Sequence, residues 1–396
     1  MTPSESLGNS QFLASDGYVD EEIGRRAREK LLQVSPKLSQ KQFAEKLDMP
    51  ADALSRSLSG KRAFTAVELV KAAEILGTSA HWLVTGELDP FAVKVAGRQT
   101  FDHAMKSHTP VDWTAVDEII SNVVLAYVQV YPAPAAVLAK PVAPSARDAR
   151  DALGSAHHGD FVRYLSEATE AAFGIDVIRV GGLRDGLAIE VVGRTAIVVG
   201  ETGNWFFENW SIAHELGHVA RGDLSERGTA ACDDPAAERA ANAFAAELLL
   251  PEATVRAQRW GEMSMSALAQ FVWEYGVSTN ALQTRLTVLG ISASADVSAG
   301  LSMNTQALLR RSGIFHEAET DLITERMQAA SSRRFPEHLL SAHADAVAEG
   351  KIGASVLAWM LGVPAGELDE QLAPPIATSV DIDELARELG LVDPST

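Results

Sequence analysis

The stretch His214-Glu215-Leu216-Gly217-His218 constrains the chain more than any other part of its sequence. Two histidines four positions apart project from the same face of a helix, so both imidazoles can reach one metal ion. Glu215 lies beside the pair, where a carboxylate can take a proton from a water on the metal. The stretch therefore predicts a metal-binding helix that carries its own general base.

The flanking residues predict a short helix and a third ligand. Asn209 and Ser211 are candidate helix caps, and Gly222 follows the last periodic position, so we expect a helix over about Ile212 to Arg221. A catalytic zinc site takes three protein ligands and keeps one position open. Glu238 is the candidate for the third ligand.

A second helix is predicted around Glu238. Asp234-Pro235 reads as an N-cap followed by proline at the first helical position, and the helical pattern continues until Pro251. Glu238 and Asn242 share a face of this helix. Glu238 can thus bind the metal while Asn242 holds a ligand histidine through its other ring nitrogen, a support that such sites need.

These two segments resemble a known family. IAHELGH at 212–218 followed by ERAANAFAAELLLP at 238–251 resembles the ImmA/IrrE metallopeptidases, whose pattern is AHELGH and then ExxANxFAAxLLMP. The resemblance runs from near Gly186 to Pro251 and implies an α+β zincin-like peptidase domain with a small mixed sheet. The implied roles are zinc ligand for His214, His218 and Glu238, and catalytic base for Glu215.

The resemblance implies zinc-dependent hydrolysis of peptide bonds. Zinc lowers the pKa of the water at its open position towards ~7 and polarises the scissile carbonyl, while Glu215 passes the proton to the leaving amine. Mn²⁺ suits the same ligands. A substrate would add as an extended strand at a sheet edge, for which Ala196 to Val199 is the candidate. The implied substrate is a transcriptional repressor, whose cleavage releases stress-response or mobile-element genes.

A basic segment lies near the N-terminus of an otherwise acidic chain. The formal net charge of -19 argues against general affinity for nucleic acid, but Arg25 to Arg62 holds ten Lys or Arg against four Asp or Glu. Within it, Leu38 to Arg62 shows two short helical patterns separated by a turn at Asp48 to Pro50. The second helix is a candidate for the major groove of DNA.

With the helical stretches at 66–77 and 81–86, this segment resembles the XRE family of helix-turn-helix domains. The resemblance implies a double-stranded DNA operator as partner and places Gln40 at the start of the first helix of the motif. It implies groove contacts for Ala51, Asp52, Ser55 and Arg56, and phosphate contacts for Lys61 and Arg62. A five-helix module that holds a protein partner is the alternative.

The pattern along the chain predicts a mainly α-helical multidomain protein with an N-terminal all-α domain and a helical C-terminal region. We expect a mobile tail at 1–18, the helix-turn-helix domain at 19–90, a helical connector at 91–131 and a Pro/Ala-rich linker at 132–150. The zinc peptidase domain follows at 151–255, then a helix-turn-helix-like segment at 256–292 and a helical C-terminal domain at 293–396.

The cysteine content and the apolar runs of the chain predict the compartment in which the protein occurs. One cysteine, no N-terminal signal segment and no run of eighteen apolar residues predict a soluble, cytoplasmic, disulfide-free protein without a membrane partner. Cys232 is interpreted as an ordinary loop thiol, and His157-His158 as a solvated pair. The aromatic residues before the zinc helix are interpreted as core packing: Trp205, Phe206, Phe207 and Trp210.

The sequence favours a DNA-binding zinc metalloendopeptidase that regulates transcription by cleaving a repressor. The alternative is an XRE-type regulator whose zincin domain senses a ligand or binds a partner without turnover. Glu215 weighs against that alternative, because a binding-only zinc site needs no base there. A toxin-neutralising regulator and a homodimer both remain open.

Overall fold

The structure is a computed structural model that describes residues 10–34, 38–87, 92–96, 99–102, 107–110, 113–131, 142–157, 160–226, 234–317, 320–364 and 366–368. These residues are mainly α-helical, with one five-stranded sheet and two two-stranded sheets. The chain divides into two compact units after Pro336. The predicted fold class, an all-α N-terminal domain followed by an α+β domain and a helical C-terminal region, is confirmed.

Five helices form the N-terminal domain: α1 Ser10–Gln33, α2 Gln40–Lys46, α3 Ala51–Leu58, α4 Ala66–Leu76 and α5 Ala80–Thr85. Ser39 caps α2 in a reciprocal box with Gln42. The turn before α3 lies where the sequence predicts it, and Asp48 adopts a φ of 54°, which Asp tolerates better than most residues. The fully buried centre of the domain contains Phe43, Leu54 and Leu83.

The predicted mobile tail at 1–18 is partly wrong. Helix α1 begins at Ser10, so residues 10–18 are helical, and residues 1–9 lie outside the described residues. Adding residues to an existing helix costs far less than starting one. The helix therefore extends into a stretch whose Ser and Gly content indicated a tail.

The main sheet has the strand order β4-β6-β5-β1-β7. Its strands are β1 Lys94–Val95, β4 Asp176–Val180, β5 Leu187–Val191, β6 Arg194–Gly200 and β7 Ser225–Glu226. Strands β4 and β6 are parallel and the other pairs are antiparallel, so the sheet is mixed as predicted. Val192 and Gly193 both have positive φ in the two-residue turn between β5 and β6, the conformation that joins strands tightly.

The substrate edge predicted at Ala196 to Val199 is wrong. These residues belong to β6, which pairs with β4 on one side and β5 on the other. A continuous apolar run such as this one shows that a strand is buried but does not show which strands flank it. Strand β4 lies at one end of the order and β7 at the other.

Helices surround the main sheet and follow it along the chain. They are α6 Trp113–Val130, α7 Ala146–Ala156, α8 Leu165–Phe173, α9 Trp205–Arg221, α10 Pro235–Leu249, α11 Glu252–Arg256, α12 Met265–Glu274, α13 Thr279–Val288, α14 Ala295–Leu301, α15 Thr305–Ser312 and α16 Leu322–Ser331. Two hairpins complete this unit: β2 Gln99–Asp102 with β3 Ser107–Pro110, and β8 His316–Glu317 with β9 Thr320–Asp321.

The predicted boundary at 293 is wrong. Val297 of α14 and Leu308 of α15 lie in the same hydrophobic core as Leu268 of α12, and the division between compact units comes after Pro336. Helical periodicity identifies an apolar face but not the neighbour that covers it. The second unit contains α17 Glu337–Ala348 and α18 Ser355–Leu361, with Leu357 and Leu368 in a small core of their own.

The connector and the linker are more structured than the sequence indicates. Helix α6 lies within the stretch predicted as a helical connector, and Tyr127 of this helix donates a buried hydrogen bond of 2.7 Å to Asp176 of β4. Residues predicted as the end of the linker form α7, whose Ala149 and Leu153 are fully buried. Residues 132–141 lie outside the described residues. The connector therefore belongs to the body that carries the sheet.

In the part of the chain that the structure describes, every helix is too short or too polar to cross a membrane.

Candidate metal centre

Helix α9 carries the two histidines and is longer than predicted. It begins at Trp205 after Asn204, and Gly222 ends it with a φ of 70°. Asn209 and Ser211, predicted as caps, are buried inside the helix. Asn209 Nδ2 instead donates to the carbonyls of Val162 at 3.2 Å and Gly276 at 3.1 Å. The cap prediction is wrong because tertiary partners take the side chain that could have capped a helix.

Helix α10 begins and ends as predicted. The Asp234 carboxylate accepts from the N–H of Ala236 at 2.8 Å, Pro235 is the first helical residue, and the helix ends before Pro251. It packs closely on α9 at Gly217. A Cβ at position 217 would lie 3.0 Å from Ala241 Cα and 3.1 Å from Phe244 Cβ. The glycine thus lets α10 approach closely enough for Glu238 to reach the histidines.

The side chains of His214, His218 and Glu238 converge on one point. The two Nε2 atoms lie 3.1 Å apart. Glu238 Oε2 lies 3.4 Å from His214 Nε2, and Oε1 lies 3.4 Å from His218 Nε2. All three residues are buried, and they form the one cluster of its kind found among the described residues.

The outer ring nitrogens are held by two further residues. His214 Nδ1 lies 3.1 Å from Asn242 Oδ1, and His218 Nδ1 lies 3.2 Å from Asp223 Oδ2. Both partner atoms are acceptors, so each Nδ1 carries the hydrogen and each Nε2 presents a lone pair to the centre. Sequence analysis placed Asn242 here but missed Asp223. Its position in the sequence could have indicated this role, because Asp223 directly follows Gly222, which ends the helix that carries His218.

This arrangement fits a divalent cation. Two neutral imidazoles facing each other through lone pairs repel, and a buried carboxylate beside them needs a positive partner. With bonds of about 2.0–2.1 Å, neighbouring ligand atoms around a tetrahedral zinc lie about 3.3–3.4 Å apart. The observed separations of 3.1 to 3.4 Å are close to that value. The three residues could therefore hold Zn²⁺ or a metal of similar size.

The protonation states agree with such a centre. Burial raises the pKa of Glu238, but the imidazoles of His214 and His218 outweigh it and lower the pKa to about 2. Burial lowers the pKa of His218, but its hydrogen bond to Glu238 and the charge of Glu215 raise the pKa above the ordinary 6.5. Glu238 therefore stays ionised, and protons compete with a metal for His218 from a higher pH than for an ordinary imidazole.

Glu215 lies between α9 and the sheet. It is buried, and its Oε2 accepts the N–H of Ala188 in β5 at 3.0 Å. A Cβ at Gly186 would lie 3.4 Å from Glu215 Cγ, which shows how closely the start of β5 approaches this side chain. The carboxylate is thus fixed between the histidine helix and one particular strand.

The predicted DNA-contacting residues lie on and around α3. Ala51, Asp52, Ser55 and Arg56 are exposed, as are Gln40 at the start of α2 and Lys61 after α3. Asp52 and Arg56 form an ion pair of 3.1 Å in the absence of DNA. The Arg62 guanidinium pairs with Glu68 at 2.8 Å and donates to Ser57 Oγ at 2.9 Å, so it ties α3 to α4. Its predicted contact with phosphate stays a prediction, as do the other DNA contacts.

The other residues named in the sequence analysis are not part of the metal-ligand cluster, and two of them lie outside the described residues. Trp205 is buried in the main core, with Phe206 and Trp210 packed against it, as predicted. His157 stacks on Tyr164 at 4.8 Å between ring centroids. Cys232 and His158 lie outside the described residues.

Comparison with known families identifies both domains. Residues 197–287 match the peptidase-family model described as the IrrE N-terminal-like domain, and residues 29–83 match the Helix-turn-helix model. The chain is a fusion of these two domains. The IrrE-like match begins in β6 and extends into α13, so it includes α9, α10 and the predicted segment at 256–292 up to α13. The helix-turn-helix match contains α2 and α3. Comparison with curated proteins and with solved structures found no match.

Proposed function

We propose that this helix-turn-helix and IrrE-like fusion is a zinc-dependent metalloendopeptidase that regulates transcription. The observation that carries the proposal is the convergence of two histidine lone pairs and one ionised carboxylate, with the Glu215 carboxylate one residue from the first histidine. A site that only stores zinc has no need of a base beside its ligands.

The roles follow from the positions of the side chains. His214, His218 and Glu238 would hold the metal, and Asn242 and Asp223 keep the two imidazoles in the tautomer that binds it. Bound Zn²⁺ supplies a Lewis acid that polarises the scissile carbonyl and acidifies water. Glu215 accepts the proton of the attacking water and delivers it to the leaving amine.

We propose that the substrate is a transcriptional repressor and that its cleavage releases the genes it silences. The N-terminal domain exposes Gln40, Ser55 and Lys61 around α3 for contact with an operator in double-stranded DNA. Binding the operator that the repressor occupies would bring enzyme and substrate together. A homodimer that spans two half-sites and a stress signal that starts cleavage belong to the same hypothesis.

The test is a comparison of cleaved proteins in cells that carry wild type or Glu215→Gln, with and without DNA damage. We expect a repressor fragment only in the wild type, with zinc content unchanged because residue 215 is not a ligand. Glu262→Gln, an exposed carboxylate after α11, serves as matched control and should cleave normally. Identical fragments in wild type and Glu215→Gln, with zinc bound and the same transcripts changed, would identify a non-catalytic regulator instead.

A further inference from the structure

Strand β1 lies inside the main sheet although it comes from a stretch that neither family match covers. It pairs antiparallel with β5, Lys94 opposite Glu190 and Val95 opposite Ile189. On its other side it pairs with β7. A connector residue pair thus occupies the edge that β5 would otherwise offer to another strand.

The pairing of β1 with β5 reaches the proposed base. The register places Ala96 opposite Ala188, and the N–H of Ala96 donates to the carbonyl of Ala188 at 3.1 Å. A hydrogen-bonded antiparallel pair normally exchanges two such bonds. Here the N–H of Ala188 goes to Glu215 Oε2 at 3.0 Å. Ala188 therefore holds β1 with its oxygen and the proposed base with its nitrogen.

We propose that β1 occupies the position of a substrate strand on β5 and keeps the peptidase inhibited until β1 leaves. This inference rests on the proposed peptidase function. A peptide that binds by strand addition needs an open strand edge, and a cleavable bond must come within reach of the base. Without β1, the outer edge of β5 would meet both conditions. Strand β1 fills this edge and runs antiparallel to β5.

The contacts of β1 define what could replace it. Lys94 Nζ lies 2.6 Å from Glu190 Oε1, in an ion pair whose side chains are 40% and 35% exposed. Val95 and Ala96 are buried. A competing segment therefore carries a basic residue, then a β-branched residue, then a small one. Few backbone bonds hold so short a strand, so local opening costs much less than unfolding of the sheet.

A disulfide can lock β1 in place for a direct test. Ala188 and Glu190 direct their backbone groups towards β1, so Val95 and Ile189 form the non-hydrogen-bonded pair between them, where Cα atoms approach to about 4.5 Å. The variant for this test carries Val95→Cys and Ile189→Cys, which form the disulfide, and Cys232→Ser, which removes the native thiol. The probe is a fluorescent peptide of residues 91–100, FAVKVAGRQT. We expect the oxidised, zinc-loaded protein not to bind it, and reduction of the same sample to restore binding.

A second variant weakens β1 without a lock. Lys94→Glu replaces the attraction to Glu190 with repulsion and leaves Glu190 to pair with the lysine of the peptide. We expect it to bind the peptide roughly ten-fold more tightly than wild type, because the open form no longer has to be populated against β1. Lys71→Glu, on the exposed face of α4, should bind as wild type does.

The outcomes separate the two hypotheses. Equal peptide binding before and after reduction, or no gain in binding with Lys94→Glu, would make β1 an ordinary strand and overturn the inference. Cleavage of the protein's own chain within 91–100 would make β1 a substrate and would also overturn it. Peptide binding that the lock abolishes, without a repressor fragment that depends on Glu215 in cells, would support the strand inference while removing the peptidase function.

Discussion

The Nδ1 atoms of His214 and His218 are held by two residues that do not belong to the proposed ligand set. Asn242 and Asp223 are neutral and charged acceptors, respectively, so the two imidazoles are polarised differently although both present Nε2. Arg221 also donates to Asp223 at 3.0 Å, which ties the carboxylate to the end of α9. Metal affinity should therefore depend on residues that never touch the metal.

Asn242→Ala should weaken zinc binding by roughly 10–100-fold, because His214 loses the acceptor that orients its ring. Competition with a chelator of known affinity measures the change. Asn280→Ala, an exposed asparagine on α13, is the control and should bind zinc as wild type does. Unchanged affinity in Asn242→Ala would mean that packing alone orients His214.

Zinc binding should weaken on acidification from a pH above 6.5. The raised pKa of His218 means that protons compete with the metal for this ring from a higher pH than for an ordinary imidazole. Glu238, with a pKa of about 2, adds no such competition near neutral pH. The chelator competition repeated across pH checks this. An onset only below 6.5 would contradict the raised pKa of His218.

The spacing between α9 and α10 matters as much as the ligands they carry. A Cβ at Gly217 would lie only 3.0 Å from the Cα atom of Ala241, closer than Cβ contacts normally come. Gly217→Ala should push α10 away, lower zinc affinity and cost about 1–3 kcal/mol of stability through overpacking. Gly154→Ala, a helical glycine with open space around it, should not destabilise the protein. Zinc titration and thermal unfolding of both variants measure these two effects. Zinc affinity and stability unchanged in Gly217→Ala would show that α10 tolerates a side chain at this position.

In the helix-turn-helix domain, Arg62 and Glu68 connect α3 to α4. A hydrogen bond from Arg62 outweighs burial and lowers the pKa of Glu68 to about 2, from an ordinary 4.5. A carboxyl whose pKa is lower in the folded state stabilises fully above its unfolded pKa and loses that effect as pH falls towards the folded value. Protection of the α4 amides from hydrogen exchange, corrected for intrinsic rates, should therefore fall between pH 4.5 and about 2. Glu68→Gln should abolish that pH dependence, and its persistence would exclude the pair.

At the scale of the molecule, the two domains keep separate hydrophobic cores. The cluster around Phe43 and Leu54 shares no residue with the cluster around Ile212 and Leu248. Removal of zinc should therefore speed hydrogen exchange in α9 and α10, where bound metal adds to stability, and leave α2 to α4 unchanged. Equal loosening of both regions would show that the metal centre stabilises the DNA-binding domain as well.

The sequence alone was sufficient wherever a local pattern carries the physics. Four-residue spacing places His214 and His218 on one face, and Asp234-Pro235 starts α10. Each of these depends on neighbours within about one turn of a helix. Asn242 was also predicted, because it shares the face of Glu238 at helical spacing.

Only the tertiary structure decided what depends on distant partners. It placed β6 between two other strands, inserted β1 beside β5, packed helices α14, α15 and α16 into the core of the IrrE-like region and paired Arg62 with Glu68. It also turned Asn209 from a cap into a bridge between Val162 and Gly276. Local periodicity shows that a face is buried, but the choice of its partner is made by long-range packing, which no short stretch of sequence contains.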